Sequence, residues 1–343
     1  MHNEKPVHGA FSFFRNRLAM RFFIAIFFLL QTVLAFAAEK LPRVYGATFP
    51  SSFALYVFHP DLLAGWNGPL REYEKKYIPE KYQQLPVLGG WYGKGMIPDR
   101  EILLKSHPDV AFLLTGDRPQ SNDIVTAFEQ MKIPLITTRS VTMEDNISMF
   151  RYLGKTFRQE KRGNALADYG QKSLDKVARM LKNLPENRRI RVYMAQDADG
   201  LATTCDQSTR SRAIWLAGGK NVHQCPHEMH ESITRISFEQ IMNYDPDVIL
   251  VNHPALQKRF FRENRWKALR AVREGHVYFV PHEPFSWLDR PASFMRFIGI
   301  QWLATKLHPD LCQIDMTEET RQFIRLFFKS DLSPEATRKI LNP

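Results

Sequence analysis

The sequence predicts an α/β protein with two Rossmann-like lobes, each built on a mainly parallel sheet, joined by a long rigid helix. Apolar strands alternate with helical segments in both halves of the 343-residue chain, and such alternation favours parallel sheets with right-handed crossovers. The two halves contain similar helix–strand units, and a polar stretch with helical periodicity separates them. We therefore predict a first lobe over residues 38–140, a helical spine over 141–187 and a second lobe over 188–343.

Residues 1–37 have the pattern of a cleavable signal peptide. Arg15, Arg17 and Arg21 precede the apolar run 22–36, and Ala-Phe-Ala at 35–37 is the small-residue pattern found before a cleavage site. A retained membrane anchor is the alternative, although the apolar run is short for a bilayer span. We therefore expect an exported, periplasmic protein.

The composition is that of a globular protein with enough material for two cores. The chain is 44% hydrophobic and 24% charged, and its 47 basic and 36 acidic residues give a formal net charge of +11. The basic residues are scattered among acids, without a Lys/Arg-rich block. We therefore expect no nucleic acid partner; an anionic small ligand or an anionic membrane face fits better.

The first half contains alternating strands and helices. Strands are predicted at 43–47, 62–66, 108–114 and 134–137, and helices at 53–58, 99–106 and 122–131. The apolar run that comes after Pro108 and Asp109 is typical of a strand buried on both faces of a parallel sheet.

The predicted spine has two helical segments. Apolar residues recur at three- and four-residue steps, first at Ile147, Phe150, Leu153 and Phe157 and, after a short break, at Leu166, Tyr169, Leu174, Val177 and Leu181. Thr142 can cap the first segment, and Pro185 ends the second. An ordinary surface helix is the alternative to a spine that joins two lobes.

The second half repeats the design of the first. Strands are predicted at 190–194, 246–251 and 275–280, and helices at 212–216, 237–242, 266–273 and 292–307. Segments 99–110 and 237–248 correspond most closely, because each has a glutamate in the first turn of a helix and then Pro-Asp-Val at the start of a buried strand.

The residues that carry a family resemblance are these two segments and the stretches 85–89, 266–278 and 287–291. Through them, the chain resembles the periplasmic binding proteins of ABC importers for ferric siderophores, haem and cobalamin. The resemblance covers nearly all of 41–309. It implies the class III architecture, in which one long helix joins two α/β lobes and the ligand lies in the cleft between them. It also implies that Glu101 and Glu239 face arginines of the membrane permease. The alternative is that each glutamate only stabilises its own helix dipole.

The resemblance implies a carrier that captures an iron or other metal chelate, such as a ferric siderophore, haem, cobalamin or a nickel chelate. The expected partners are an ABC permease and its ATPase in the inner membrane, and the carrier is expected to be a monomer with no covalently bound cofactor. Alternatives are a carrier of free zinc or manganese and a two-lobed metal-dependent enzyme. We expect no catalytic residues, because the sequence lacks nucleophile-elbow, Walker, HExxH and dinucleotide-binding motifs.

Ligands of such sheets bind beyond the carboxyl ends of the strands, which selects the loops 48–52, 90–95, 116–120, 195–206, 252–255 and 281–290. Aromatic walls and positive charge suit a large chelate that bears carboxylates. The candidate ligand-binding residues are therefore Trp91, Tyr92, Lys94, Arg118, His253, His282, Phe285, Trp287 and Arg290. His253 or His282 would complete the coordination of a metal chelate. The alternative for each aromatic residue is that it packs its own loop.

The cysteines suggest one disulfide bond. In an oxidising compartment Cys205 and Cys225 could pair, closing a loop of about 20 residues and contributing roughly 3 kcal/mol, which would leave Cys312 unpaired. His223 and His227 have a spacing that could bind a metal on a helix, but Pro226 between them argues against a regular helix. We therefore predict no dedicated metal site.

Overall fold

The first half of the chain folds around a three-stranded parallel sheet. The computed structural model describes residues 41–91, 98–116, 122–225, 233–258, 260–289 and 291–342, so the predicted signal peptide lies outside it. The elements of this half are β1 (Val44–Gly46), α1 (Phe49–Phe58), α2 (Glu72–Lys75), α3 (Glu80–Gln83), α4 (Arg100–Lys105), β2 (Val110–Thr115), α5 (Asn122–Gln130) and β3 (Leu135–Arg139). The strand order is β1-β2-β3, and both pairings are parallel.

Two helices, α6 (Met143–Thr156) and α7 (Glu160–Met180), connect the halves. Thr142 caps α6 as predicted, since its side chain accepts from the backbone N of Asp145. The helices pack closely where the chain reverses, because a Cβ on Gly163 would lie only 2.8 Å from the Cα of Gly154. The long helix is therefore α7, and α6 packs against it, with the separation at the predicted break.

The second half folds around a four-stranded parallel sheet. Its elements are β4 (Ile190–Ala195), β5 (Ala202–Thr203), α8 (Arg212–Leu216), β6 (Gly219–Asn221), β7 (Thr234–Arg235), α9 (Phe238–Tyr244), β8 (Val248–Val251), α10 (Pro254–Gln257), α11 (Arg270–Arg273), β9 (Val277–Phe279) and α12 (Arg296–Leu307). The strand order is β6-β4-β8-β9, all parallel, and β5 and β7 form a separate antiparallel pair. The prediction of a mixed α/β fold with parallel sheets is confirmed.

The two sheets contain the same strand. Residues 43–47 are Arg-Val-Tyr-Gly-Ala and residues 191–195 are Arg-Val-Tyr-Met-Ala. The tyrosine is fully buried in both strands, and its hydroxyl donates to a glycine carbonyl at 2.7 Å, Tyr45 to Gly89 and Tyr193 to Gly200. The buried hydroxyl is thus satisfied in the same way in each half.

An aspartate fixes the neighbouring strand in each half. Asp109 Oδ2 accepts from the backbone N of Arg43 at 2.7 Å, and the backbone N of Asp109 donates to the Arg43 carbonyl at 2.8 Å. Asp247 repeats this clamp on Arg191, at 2.9 and 2.8 Å. The Pro-Asp-Val repeat therefore sets the alignment of two neighbouring strands in both sheets.

Two predicted elements differ from the structure. The segment predicted as a strand at 62–66 is a 3-10 helix, Pro60–Leu62, followed by isolated β-bridges at Leu63 and Trp66. The predicted helix at 266–273 is a 3-10 helix, Asn264–Ala268, followed by α11.

Two helices after α12 were not predicted from the sequence, α13 (Met316–Phe328) and α14 (Pro334–Leu341). The last residue of α13 packs against the first half, since the ring centroid of Phe328 lies 6.4 Å from that of Tyr56 and 6.2 Å from that of Tyr77. The end of the chain therefore contacts both halves, and residues 42–343 form one compact unit. None of the described helices is long and apolar enough to cross a membrane.

Candidate ligand-binding site

The loops at the carboxyl ends of the two sheets meet at an aromatic contact. Phe49 begins α1 directly after β1, and Phe285 lies in the loop after β9. Their ring centroids are 5.9 Å apart, and Phe285 also lies 5.1 Å from Phe53. The carboxyl ends of parallel strands are where ligands bind in such sheets, so this junction marks the candidate site.

Hydroxyl groups organise the side of the site that belongs to the first half. The Thr48 side chain caps α1 by accepting from the backbone N of Ser51 at 3.3 Å, and the two hydroxyl oxygens are 2.8 Å apart. Ser51 Oγ also accepts from the backbone N of Leu114 at 3.0 Å, which ties α1 to β2. Both hydroxyls are buried, so this wall is fixed by its own hydrogen bonds.

A buried carboxylate organises the other side. Asp289 is fully buried, and its Oδ1 accepts from Nη1 of Arg210 at 2.8 Å. Its Oδ2 lies 3.4 Å from Nε2 of Gln196, and its carbonyl lies 3.4 Å from Nδ2 of Asn252. Ser286 Oγ donates to Asn252 Oδ1 at 2.9 Å. The loops after β4, β8 and β9 and the segment before α8 are therefore held together around one carboxylate.

A second arginine lies beneath this network. Arg296 is buried and donates to the carbonyls of Thr209, at 3.2 Å, and Val141, at 2.6 Å. Burial lowers the pKa of Arg296 to about 10, although Asp289 opposes the shift. Its Nε has no hydrogen-bond partner among the described residues. Arg296 thus joins the end of the first sheet to the second half and places positive charge in the interior.

The predicted aromatic wall packs against protein. The half-buried Trp91 lies 4.8 Å from the Phe128 ring and 6.1 Å from the Tyr45 ring, both in the first core. Phe285 is 5% exposed and Trp287 is 0% exposed. Phe285 packs against Phe49 and Phe53 of α1. Trp287 has no surface that a ligand could reach unless its loop moves.

The two predicted histidines lie at the carboxyl ends of β8 and β9. His253 caps α10 by accepting from the backbone N of Ala255 at 3.2 Å. Nδ1 of His282 lies 2.5 Å from the Val280 carbonyl oxygen. Burial lowers the pKa of His282, and the proximity of His253 lowers it further, although the Val280 and Asn252 carbonyls act in the opposite direction. Both histidines therefore lie just beyond the carboxyl ends of neighbouring strands, and burial keeps the pKa of His282 below its ordinary value.

The remaining candidate residues are either outside the described part of the chain or not placed to bind a metal ion. Tyr92, Lys94, Arg118, Arg290 and His227 lie outside the described residues. Over the residues that are described, no group of three or more His, Cys, Asp or Glu side chains is placed to hold a metal ion. His223 is instead 8% exposed, and its Nδ1 lies 3.0 Å from the Tyr244 hydroxyl.

The predicted disulfide bond is confirmed. Cys205 and Cys225 are bonded, with a Cα–Cα distance of 4.8 Å, and the bond links the segment after β5 to the segment after β6. Cys312 is a buried free thiol, and burial raises its pKa.

The two predicted docking glutamates lie on short capped helices. Glu101 comes after Asp99, the cap of α4, and accepts from Lys105 Nζ at 2.6 Å with its side chain 76% exposed. Glu239 comes after Ser237, the cap of α9, and is exposed. The pKa of Glu239 is lowered by its own backbone amide and then by the Ser237 hydroxyl. Both carboxylates are therefore open to solvent.

The helices also match in their apolar residues. Leu103 and Ile241, two residues after the glutamate, are both 0% exposed and anchor the helix to its core. Leu104 and Met242, the next residues, are 45% and 47% exposed. Each helix thus presents a carboxylate and, one turn later, an apolar side chain to solvent, and α4 also exposes Ile102 (47%).

The network of Arg210, Asp289, Gln196 and Arg296 was not predicted from the sequence. Asp289 lies within a predicted cleft loop, but only its neighbours were singled out. A signal was available, because an aspartate in an apolar loop needs a buried counter-charge. The partner could not be named, since Arg210 lies 79 residues away in the chain.

Comparisons with known proteins agree with this architecture. A family model described as "Periplasmic binding protein" matches residues 72–284, which is more than half of the chain. An ABC transporter solute binding protein from Sulfurospirillum deleyianum is 37% identical, with a TM-score of 0.80 over 88% of this chain and 94% of that chain. The high-affinity heme uptake system protein IsdE of Staphylococcus aureus is 22% identical over 218 residues, 61% of this chain and 71% of that protein.

A more distant similarity concerns the fold alone. The Haemophilus influenzae protein MolA, solved with molybdate bound, is 17% identical and has a TM-score of 0.71 over 86% of this chain and 95% of that chain.

Proposed function

We propose that this chain, which belongs to the periplasmic binding protein family of ABC importers and has its class III fold, captures a metal chelate between its two halves and delivers it to a membrane permease. The family is one of binding proteins that act outside the cytoplasm with an ABC permease and a small-molecule ligand. Beyond this, we propose export through the signal peptide 1–37, a monomeric carrier and an ATPase partner on the permease.

The observation that carries the proposal is the pair of matched helices α4 and α9. Each places an exposed glutamate in its first turn and an exposed apolar side chain one turn later, above a fully buried anchor. Two such units at equivalent positions fit a partner that contacts both halves at once. Paired carboxylates set the orientation of a complex through charge-assisted hydrogen bonds to arginines.

Substitution of the two glutamates tests the docking proposal. Cells that carry Glu101→Gln and Glu239→Gln together should take up the ligand at least about tenfold more slowly, since two charge-assisted contacts are lost. The affinity of the purified double variant for the ligand should stay unchanged. Glu335→Gln is the matched control, because Glu335 is 70% exposed and pairs with Lys339 at 2.8 Å much as Glu101 pairs with Lys105. Normal uptake by the double variant would refute the docking role.

For the ligand, we propose an iron or other metal chelate, contacted by residues of the loops after the strands. His253 and His282 are the proposed groups for coordination, and the remaining proposed contacts are Trp91, Tyr92, Lys94, Arg118, Phe285 and Arg290. Trp287 joins them only if its loop moves, because its ring is buried in this structure. IsdE is named for haem and MolA was solved with molybdate, so both compounds belong in the test panel.

Titration of the mature protein tests the ligand class. Ferric siderophores, haem, cobalamin, nickel–histidine and molybdate are added in turn, and binding is monitored by tryptophan fluorescence and calorimetry. Tight binding of a chelate without chemical change supports the proposal. Uptake of zinc or manganese without any chelator would favour the free-ion carrier, and turnover of a bound compound would favour a metal-dependent enzyme.

A further inference from the structure

We propose that Arg210 is the group that anchors the ligand, and that the ligand carries an anionic oxygen group for it to bind. This deepens the proposed function and rests on it. The carboxylate of a metal chelate and a free mineral oxyanion share this chemistry, so the probes of the experiment include both.

The first support is the unequal exposure of the Arg210–Asp289 ion pair. The guanidinium is held at 2.8 Å by a carboxylate that is 0% exposed, while the Arg210 side chain itself is 36% exposed. Solvent and ligand can therefore reach only the cationic member of the pair. A guanidinium has five N–H donors in a planar fork, and one carboxylate oxygen does not use them all.

The second support is that the carboxylate is fixed before any ligand arrives. The backbone N of Asp289 lies 3.4 Å from Ser286 Oγ, and Gln196 and Asn252 hold its other atoms. Asp289 acts here as a positioning residue for Arg210. A side chain that is already held in place loses less conformational entropy when it binds a ligand. A larger share of the interaction free energy therefore appears as binding affinity.

The third support is the charge of Arg296 beneath the pair. Arg296 binds backbone carbonyls and forms no ion pair with any residue in the described ranges. Glu144 and Asp145 also act on it, but Asp145 is paired with Arg139 at 3.1 Å and Glu144 is exposed. Its positive charge is therefore not cancelled by contact, and in the interior such a charge acts strongly on a nearby anion.

The first half adds a favourable field from across the junction. The 10-residue helix α1 begins at Phe49, whose ring contacts Phe285 in the loop that carries Asp289. The amino end of a helix carries partial positive charge and favours anions. Since Phe285 and Trp287 are buried, the site offers charge rather than a broad exposed aromatic wall.

The experiment uses the mature protein and four probes: ferric citrate as a carboxylate chelate, haem as a flat carboxylate chelate, molybdate as a free oxyanion and a neutral ferric hydroxamate. Calorimetry measures Kd for the wild type and for Arg210→Gln, Arg210→Lys and Asp289→Asn. Arg212→Gln is the matched control, because it removes the same charge from an exposed arginine two residues away.

We expect at least one anionic probe to bind the wild type, and its Kd to rise at least about tenfold in Arg210→Gln, with partial recovery in Arg210→Lys and no change in Arg212→Gln. Asp289→Asn should weaken binding of the anionic probes and, because the buried carboxylate also holds these loops together, lower thermal stability in the absence of ligand. Arg210→Gln and Arg210→Lys, which keep Asp289, separate the loss of the cation from that loss of structure. Which anionic probe binds identifies the source of the oxygen group.

Three results would overturn the inference. If the neutral hydroxamate binds best and Arg210→Gln binds it equally well, the anionic class is wrong while capture of a chelate stands. If the wild type and Arg210→Gln bind an anionic probe with equal affinity, Arg210 does not contact the ligand. If none of the probes binds the wild type, the proposed chelate function fails, and the inference that rests on it fails too.

Discussion

The two halves of this molecule share a framework and differ in the segments attached to it. Both contain the strand Arg-Val-Tyr, the aspartate clamp at the start of the neighbouring strand, and a capped helix with an exposed glutamate. The fourth residue of the shared strand is the first difference, Gly46 in one half and Met194 in the other.

This difference determines which residues lie beyond the carboxyl end of the shared strand in each half. A Cβ on Gly46 would lie 2.5 Å from the backbone N of Ser52, so glycine lets α1 begin directly against the strand. After Met194 the chain instead enters a polar segment that contains the disulfide and Arg210. The matched parts carry the framework and the proposed docking surface, whereas the proposed ligand chemistry lies where the halves differ.

Making the first half resemble the second breaks this arrangement most severely. Gly46→Met would drive a side chain into backbone atoms of Ser52, which cannot move aside without displacing α1. We expect a loss of at least about 3 kcal/mol in the free energy of unfolding, or no folded protein. Urea unfolding monitored by circular dichroism measures it.

The control for this substitution is Gly68→Met. Nothing lies within 4 Å of a Cβ at Gly68, so its effect should stay within about 0.5 kcal/mol. Equal unfolding midpoints for the two variants would show that α1 is not held tightly against β1.

Sequence predicted the framework because its signals are local. Helices α4 and α9 are marked by Asp99 and Ser237 as caps, and the strands after them are uninterrupted apolar runs. The disulfide was predictable from Cys205 and Cys225, whose spacing closes a moderate loop in an exported protein. The helix α13 could also have been found, since Asp315 caps it by accepting from the backbone N of Thr317 and Glu318.

The candidate site was less accessible because its contacts are distant in sequence and its burial is tertiary. An aromatic residue in a loop has the same local signal whether it faces a ligand or the core. Trp287 is buried because Gly299 allows α12 to approach, since a Cβ there would lie 2.9 Å from the Trp287 carbonyl carbon. Only packing between elements shows this, and the same holds for the pairing of Arg210 with Asp289.

The second difference between the halves is the crosslink, for which the described part of the first half has no counterpart. Cys205→Ser with Cys225→Ser should cost about 3 kcal/mol, because opening a loop of 20 residues restores freedom to the unfolded chain. Thermal unfolding with and without a phosphine reductant measures the loss. Cys312→Ser is the control, because the reductant should still lower its thermal unfolding midpoint. A wild-type midpoint that does not change with the reductant would contradict the prediction.

The aspartate clamps should differ modestly. Asp109→Ala removes one charge-assisted hydrogen bond to the Arg43 amide and should cost about 1 kcal/mol. Asp247→Ala should cost more, because Oδ1 of Asp247 also accepts from Arg270 Nη2 at 2.8 Å. In an Arg270→Met background the two alanine variants should become equal, as measured by urea unfolding. A persistent difference would place its cause outside this ion pair.

The smallest expected effect is a dependence of stability on pH that arises mainly in the second half. Burial lowers the pKa of His223 and His282, and also of His59 in the first half. Below the ordinary value of about 6.5, the unfolded chain therefore binds more protons than the folded one, so stability falls as the pH falls.

The loss is at most about 1.4 kcal/mol per pH unit for each histidine, and it starts as the pH falls through about 6.5. Thermal unfolding from pH 7.5 to 5 should show a smaller slope in His223→Gln with His282→Gln than in the wild type. His276→Gln is the control, because His276 is exposed in the same half. If His59→Gln alone removed the slope, the loss of stability at low pH would arise in the first half. That result would contradict the prediction that it arises mainly from His223 and His282 in the second half.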